Sequence, residues 1–244
     1  MEKLQRACRA LYEQAFGVSG AFDDALFAHA MPDCLRVIAE GDTPKSMLFS
    51  IPYAIETENG IVDARYLYAV ATDPAFRSQG LATRLLREVI AEGLPVFLRP
   101  SAPSLFDFYR AVGLVPVSPV KTERGMAGGA GVALPLTALS PSAYLAARRA
   151  YLLPPFAAPT EAFLSLGYLG GGALEMAGQF VTFYELRGRE VLFKEWLGAT
   201  HFAPRVAAFL GADTYELRTP CAEGTPFGVA ANCPENLTFL IALD

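Results

Sequence analysis

The stretch Leu67-Tyr68-Ala69-Val70-Ala71-Thr72-Asp73-Pro74-Ala75-Phe76-Arg77-Ser78-Gln79-Gly80-Leu81-Ala82-Thr83-Arg84-Leu85-Leu86 changes its periodicity part-way along. Up to Thr72 it is apolar and β-prone. Pro74 and a run of small and polar residues break that pattern, and from Gly80 the apolar residues Leu81, Leu85, Leu86, Val89 and Ile90 recur at helical spacing. A strand therefore turns through a polar loop into a helix that starts near Gly80. The first turn of a helix has N–H groups with no intrahelical acceptor and carries a partial positive charge. An anion over Ser78, Gln79, Gly80, Leu81, Ala82 and Thr83 would thus be held mainly by backbone. The loop lacks the Lys and Ser/Thr of a P-loop and the first glycine of a dinucleotide fingerprint.

Further along, Pro95 to Pro100 reads as a buried strand. Ser104 to Leu114, with Phe108-Tyr109 inside it, reads as a short helix closed by Gly113. The spacing Arg77-x-x-Gly80-x-Ala82 after a strand resembles the acyl-CoA loop of the Gcn5-related N-acetyltransferases. The Phe108-Tyr109 pair followed by Gly113-Leu114 matches a second motif of that family, in the right order. Upstream, the pattern predicts helices over 2–16 and 23–31 and strands over 35–40, 46–55 and 65–72; downstream, a closing strand runs over 115–121. That order is similar to the family's order over residues 1–121. The resemblance implies an α+β, three-layer acyl-CoA N-acyltransferase fold, with a mixed, mostly antiparallel sheet flanked by helices.

The same resemblance implies a chemistry. Acetyl-CoA would be the cosubstrate, its pantetheine arm paired with the backbone of Val70, Ala71 and Thr72. Its pyrophosphate would lie over Ser78 to Thr83 with Arg77 flanking, and Ser104 and Leu105, one turn ahead of Tyr109, would touch the adenine side or the pantetheine end of CoA. A backbone N–H near Val70 or Ala71 would polarise the acetyl carbonyl. Tyr109 would be the general acid. Its phenol, with an ordinary pKa near ~10, keeps a proton for a thiolate whose own pKa is of order 8 to 9. The partner would be a primary amine of a small molecule or peptide. Asp23, Asp24, Glu56 and Glu58 are candidate bases, and so is the terminal carboxylate of Asp244, which tandem family members use as proton acceptor. A CoA-binding regulatory protein that has kept the fold without the chemistry is the alternative.

Composition bounds these readings. With 244 residues, 52% hydrophobic and 18% charged, the chain can bury a large core. The net charge of −5 argues against nucleic acid, which needs a basic stripe, and slightly favours a cationic substrate. No apolar run reaches the ~20 residues that span a bilayer, and no signal-peptide core opens the chain, so it reads as cytoplasmic. Cys8, Cys34, Cys221 and Cys233 have no paired spacing and there are only two histidines, so no metal site is expected and the cysteines read as buried free thiols. Trp196 reads as core and Arg148-Arg149 as a solvated helix face.

Beyond residue 121 the chain turns Gly/Ala-rich, and 122–140 reads as a connection around a short strand. Residues 141–244 then give helices over 141–152 and 160–169, a hairpin over 180–186 and 190–197, a helix over 201–210, and strands over 214–218, 227–231 and 237–243. This retraces the order of the first half and is read as a second, degenerate acetyltransferase-like lobe. The segment Gly198 to Arg205, where the anion loop should fall, lacks the Arg-x-x-Gly spacing. That lobe is expected to wall the substrate cleft or make a homo-oligomer contact rather than bind CoA.

Overall fold

A computed structural model describes residues 2–17, 20–31, 33–129 and 133–241. The first half runs α1 (Glu2–Phe16), α2 (Ala21–Ala30), β1 (Leu35–Glu40), β2 (Thr43–Thr57), β3 (Gly60–Thr72), α3 (Leu81–Ala91), β4 (Val96–Leu98), α4 (Leu105–Val112) and β5 (Val115–Met126). The second half runs β6 (Thr137–Leu139), α5 (Pro141–Arg148), β7 (Phe156–Pro159), α6 (Glu161–Gly167), β8 (Gly171–Met176), β9 (Phe180–Arg187), β10 (Glu190–Gly198), α7 (Ala203–Phe209), β11 (Thr214–Pro220) and β12 (Thr225–Ala231). The expected α+β, three-layer architecture is present. α1 and α2 pack on one face of β1–β3 through Cys8, Leu11, Leu26 and Phe27, and α3 and α4 pack on the other through Leu85, Leu86, Val89 and Tyr109.

All twelve strands join one sheet in the order β1-β2-β3-β4-β12-β5-β11-β10-β9-β8-β6, with β7 paired to β2. Among the strands of the described residues, β3–β4 and β10–β11 are the parallel pairs, each joined through a helix as a parallel pair requires. Strand order corrects the sequence reading in the middle. β5, the expected closing strand, does not lie beside β4: β12 is between them, antiparallel to both. β5 in turn pairs with β11 from Val120 to Met126, so residues 122–126 are strand rather than connection. Each half thus places its last strand against the other half's parallel strand. Gly228 permits the insertion: a Cβ there would stand 2.1 Å from the ring of Phe239 and 2.5 Å from the Leu98 carbonyl.

Other differences have local causes. Gly170 to Gly172 do not merely end α6; β8 starts at Gly171, whose hydrogen leaves room against the Tyr184 backbone, 1.8 Å from where a Cβ would sit. The strand expected over 237–243 is only a single bridge, Phe156 with Thr238, within 237–241; the rest lies outside the described residues. β7 escaped the sequence reading because Pro154-Pro155 hides a four-residue strand. Pro52 is tolerated within β2 at the gap between its two neighbours, since β1 pairing ends at Phe49 and β7 pairing begins at Tyr53.

Arg148 is the largest correction. Instead of facing solvent it is 1% exposed, donating through Nε and Nη2 to Glu195 (2.5 and 2.9 Å) and through Nη1 to the Ala157 carbonyl (3.2 Å). Tyr144 donates to the same carboxylate (2.5 Å). Burial alone would pull the Arg148 pKa down, but Glu195 outweighs it and the net direction is up. Arg149, the neighbour, reaches Glu56 at 2.7 Å. Trp196 is fully buried, as expected. All four cysteines are free, Cys8 and Cys34 buried, Cys221 and Cys233 half-buried. Removing one partner of a buried ion pair strands the other, so Glu195→Ala should lower the unfolding free energy by about 3–5 kcal/mol. Urea unfolding followed by the fluorescence of Trp196 measures this, and a loss below about 1 kcal/mol, the scale of an exposed pair, would refute it.

Candidate active site

β3 and β4 meet only at Arg65↔Val96 and Tyr66↔Phe97. Beyond Tyr66 they part. On its other edge β3 is bulged: its register with β2 passes from Phe49↔Tyr68 to Met47↔Ala71, and Ala69 takes a φ of +54°. A bulge of this kind bends the strand and turns backbone groups out of the ladder. The resulting wedge holds a cavity of about 380 Å³, walled by Tyr66, Tyr68, Val70, Leu98, Leu105 and Tyr109 and closed by Tyr12 and Phe16 of α1.

The anion loop lies at the end of β3. Asp73 accepts the Ala75 N–H (2.8 Å) and caps one 3-10 turn, Pro74–Phe76. Arg77 Nε folds back onto the Thr72 carbonyl (3.3 Å). Ser78 and Gly80 both adopt left-handed φ, +60° and +73°, and the first helical hydrogen bond is Arg84 N–H to Gly80 C=O (2.9 Å). The N–H groups of Leu81, Ala82 and Thr83 therefore have no acceptor within α3. Gln79 and Gly80 are exposed, and nothing stands within 4 Å of a Cβ built on Gly80. An open cradle of amides at a helix N-terminus suits a phosphate.

Tyr109 sits on the cavity-facing side of α4, a helix that ends at Gly113 with φ +106°. Burial pushes its phenol up to about 12, and it has no hydrogen-bond partner among the described residues. Leu105 lines the cavity, whereas Ser104 is exposed at the start of α4 and does not. Ala71 and Thr72 lie past the lining; Ser46 Oγ contacts the Ala71 carbonyl and the Thr72 hydroxyl, both at 3.0 Å.

The candidate bases separate. Tyr12 donates to the Asp23 carboxylate, whose second oxygen accepts the Gly20 N–H (2.9 Å) at the start of α2. Tyr12 and Tyr68 hydroxyls are 3.4 Å apart, and both residues line the cavity, so Asp23 connects to it through Tyr12. Burial raises the pKa of both tyrosines; the Asp23 carboxylate reinforces this at Tyr12. Asp24 instead pairs with Arg9 on the surface, Glu56 with Arg149, and Glu58 is exposed in the β2–β3 turn. Asp244 lies outside the described residues. Sequence reasoning missed Tyr12 as a cavity residue; its one signal was its place beside Leu11 on the buried stripe of α1. Among the described residues no cluster of His, Cys, Asp and Glu could hold a metal, and no helix is long and apolar enough to cross a membrane.

The fold is that of the acyl-CoA N-acyltransferases. Residues 2–117 match the model of the acetyltransferase (GNAT) domain, a family whose members use acetyl-CoA. No curated protein matches it in sequence. Among solved structures, a conserved Enterococcus faecalis V583 protein described as a probable N-acyltransferase is 13% identical, with a TM-score of 0.68, over 94% of this chain and 70% of that one. GCN5-related N-acetyltransferases of Kribbella flavida and Anabaena variabilis ATCC 29413 are each 14% identical over 94% of this chain, covering 68% and 70% of theirs, with TM-scores of 0.62 and 0.63. At these identities the likeness is one of fold.

With open space around Gly80, only its backbone angle demands glycine. Gly80→Val should therefore cost about 1–2 kcal/mol of stability from the left-handed φ alone. A thermal or urea unfolding curve indistinguishable from the parent would show that the loop can take another conformation.

Proposed function

We propose that this chain transfers the acetyl group of acetyl-CoA to a primary amine of a small molecule or peptide, by direct attack while both are bound. The observation that carries the reading is Tyr109, with its raised pKa, in a wedge-shaped cavity near a helix N-terminus able to hold pyrophosphate. Acetyl-CoA bound there supplies an acetyl group already activated as a thioester. Leu81, Ala82 and Thr83 N–H groups hold the pyrophosphate, Arg77 flanks it, and the unpaired edge of β3 from Val70 to Thr72 aligns the pantetheine arm. A backbone N–H at the Ala69–Val70 bulge donates to the carbonyl oxygen as it gains charge. As the amine nitrogen bonds to the carbonyl carbon and the C–S bond breaks, Tyr109 gives its proton to the departing sulfur.

The amine must lose a proton. Asp23 takes it through Tyr12 and Tyr68, each hydroxyl receiving a proton on one side as it gives its own on the other. The carboxylate of Asp244 is a second proposed acceptor. It is supported by the place of Ile241, buried, with its carbonyl bonded by Tyr53 (3.3 Å), whose ring lies 5.3 Å from that of the cavity residue Tyr66. The second half of the chain, whose α6, β8, β9, β10, α7 and β11 follow the order of α2 to β4 without the anion loop and with no counterpart of α4, would wall the acceptor side of the cleft.

Tyr109→Phe should leave CoA affinity intact by calorimetry and lower kcat by about 10²-fold or more; unchanged turnover would remove Tyr109 from the mechanism. An acid must be protonated to act, and a pKa raised to about 12 keeps Tyr109 so until pH approaches that value. From pH 7 to 10, kcat should therefore rise with deprotonation of the amine and show no fall, and a declining limb below pH 10 would contradict the assignment. A short extension beyond Asp244 should reduce activity if the terminal carboxylate takes part, and a fully active extended chain would eliminate it.

A further inference from the structure

Beyond the end of β4 the sheet leaves a second hollow. β4 ends at Leu98, while β12, β5 and β11 continue past that point. The hollow measures about 580 Å³ and shares Arg99, Pro100 and Ser101 with the wedge cavity, so the two adjoin at the tip of β4. From these observations we infer that the acceptor amine also carries an anionic group, and that the second hollow binds it through Arg99 and Arg218. This rests on the acetyl-transfer reading above and names the class of substrate for it.

The pairings Thr122↔Arg218 and Arg124↔Glu216 put four polar side chains on one face of β5 and β11. Arg99 approaches them from β4. Its guanidinium carbon lies 4.9 Å from the Phe227 ring centroid, and that of Arg218 lies 5.6 Å from the same ring. One aromatic ring thus gathers two cations in the second hollow, one of them, Arg99, shared with the wedge. Arg218 is 6% exposed and donates to Glu216 (3.1 and 3.2 Å), the carboxylate to which Arg124 also donates (2.6 and 2.9 Å). The described lining therefore carries three guanidiniums and one carboxylate. Behind it Lys194, also buried, pairs with Glu185 at 2.9 Å, and Arg187 reaches the same carboxylate at 2.6 Å, so the field stays positive.

Burial and Arg218 together lower the pKa of Arg99, to about 10, and burial lowers that of Arg218. Both directions mark a site where like charges are held together out of water, an arrangement that an anionic ligand relieves. Planar guanidiniums match a carboxylate or a phosphate in two-point contacts. The chain's net charge of −5 suggested a cationic substrate, but charge at the site differs in sign from charge over the whole surface.

The test uses pairs of small amines that differ in one group: β-alanine against its amide, and phosphoethanolamine against ethanolamine, with a polyamine as the cationic member. Acetylation is read as kcat/KM with acetyl-CoA, and binding as the thermal shift of the CoA-bound protein. An anionic member should exceed its neutral partner by about 10-fold or more, the scale of a charge-assisted hydrogen bond. Arg99→Gln should bring that ratio close to one, and Arg99→Lys should keep part of it; CoA affinity of each variant certifies its fold. Preference for β-alanine assigns a carboxylate and preference for phosphoethanolamine a phosphate. Binding of anionic amines without turnover supports the hollow as an anion site and overturns acetyl transfer. Acetylation that favours neutral or cationic amines, or no binding preference in any pair, overturns the inference and leaves acetyl transfer standing or falling on turnover alone.

Discussion

Two parallel strands that pair over only two residues set the terms for everything at the site. β3 and β4 cannot continue side by side because β3 is bulged at Ala69–Val70 while β4 is gripped on its other edge by β12. A parting pair leaves backbone donors and acceptors exposed, which in a closed core would cost about 1–3 kcal/mol for each unsatisfied group. Here the exposed groups face a cavity, where a chain with amides of its own can satisfy them. The same parting aims the end of β3 at the α3 N-terminus on one side and lets α4 lay Tyr109 along the other.

The second half contributes by holding the frame rather than by repeating the site. Glu195 on β10 fastens Arg148 and Tyr144 of α5, and Arg148 also caps the Ala157 carbonyl of β7, which is paired to β2. A charge network buried this deeply offers little net stability over a well-packed apolar substitute, but it admits only one geometry. That geometry joins the sheet edge of the first half to the meander of the second.

Local signals were legible in the chain and long-range ones were not. The strand-to-helix junction ending at Gly80, the αL stop at Gly113 and the amphipathic stripe of α1 depend on neighbours within a few residues, and each was found where periodicity placed it. The insertion of β12 could not be read, because its partners β4 and β5 are remote in sequence and its own apolar run resembles any buried strand. Arg148 failed for the opposite reason: a charged residue at a helix end is normally solvated, and only Glu195, distant along the chain, makes burial tolerable. At the site, Tyr109 was visible from its motif, while Tyr12 and Asp23 required the packing of two helices against β3 to acquire a common purpose.

The exchange of final strands also has a consequence for how the molecule is made. Thr225–Ala231 leaves the ribosome long after Val96–Leu98, so one edge of β4 has no partner while most of the chain is still being synthesised. Open edges recruit other strands, and long-range pairings form slowly. The first half therefore lacks the strand that grips β4 until β12 has followed it along the chain.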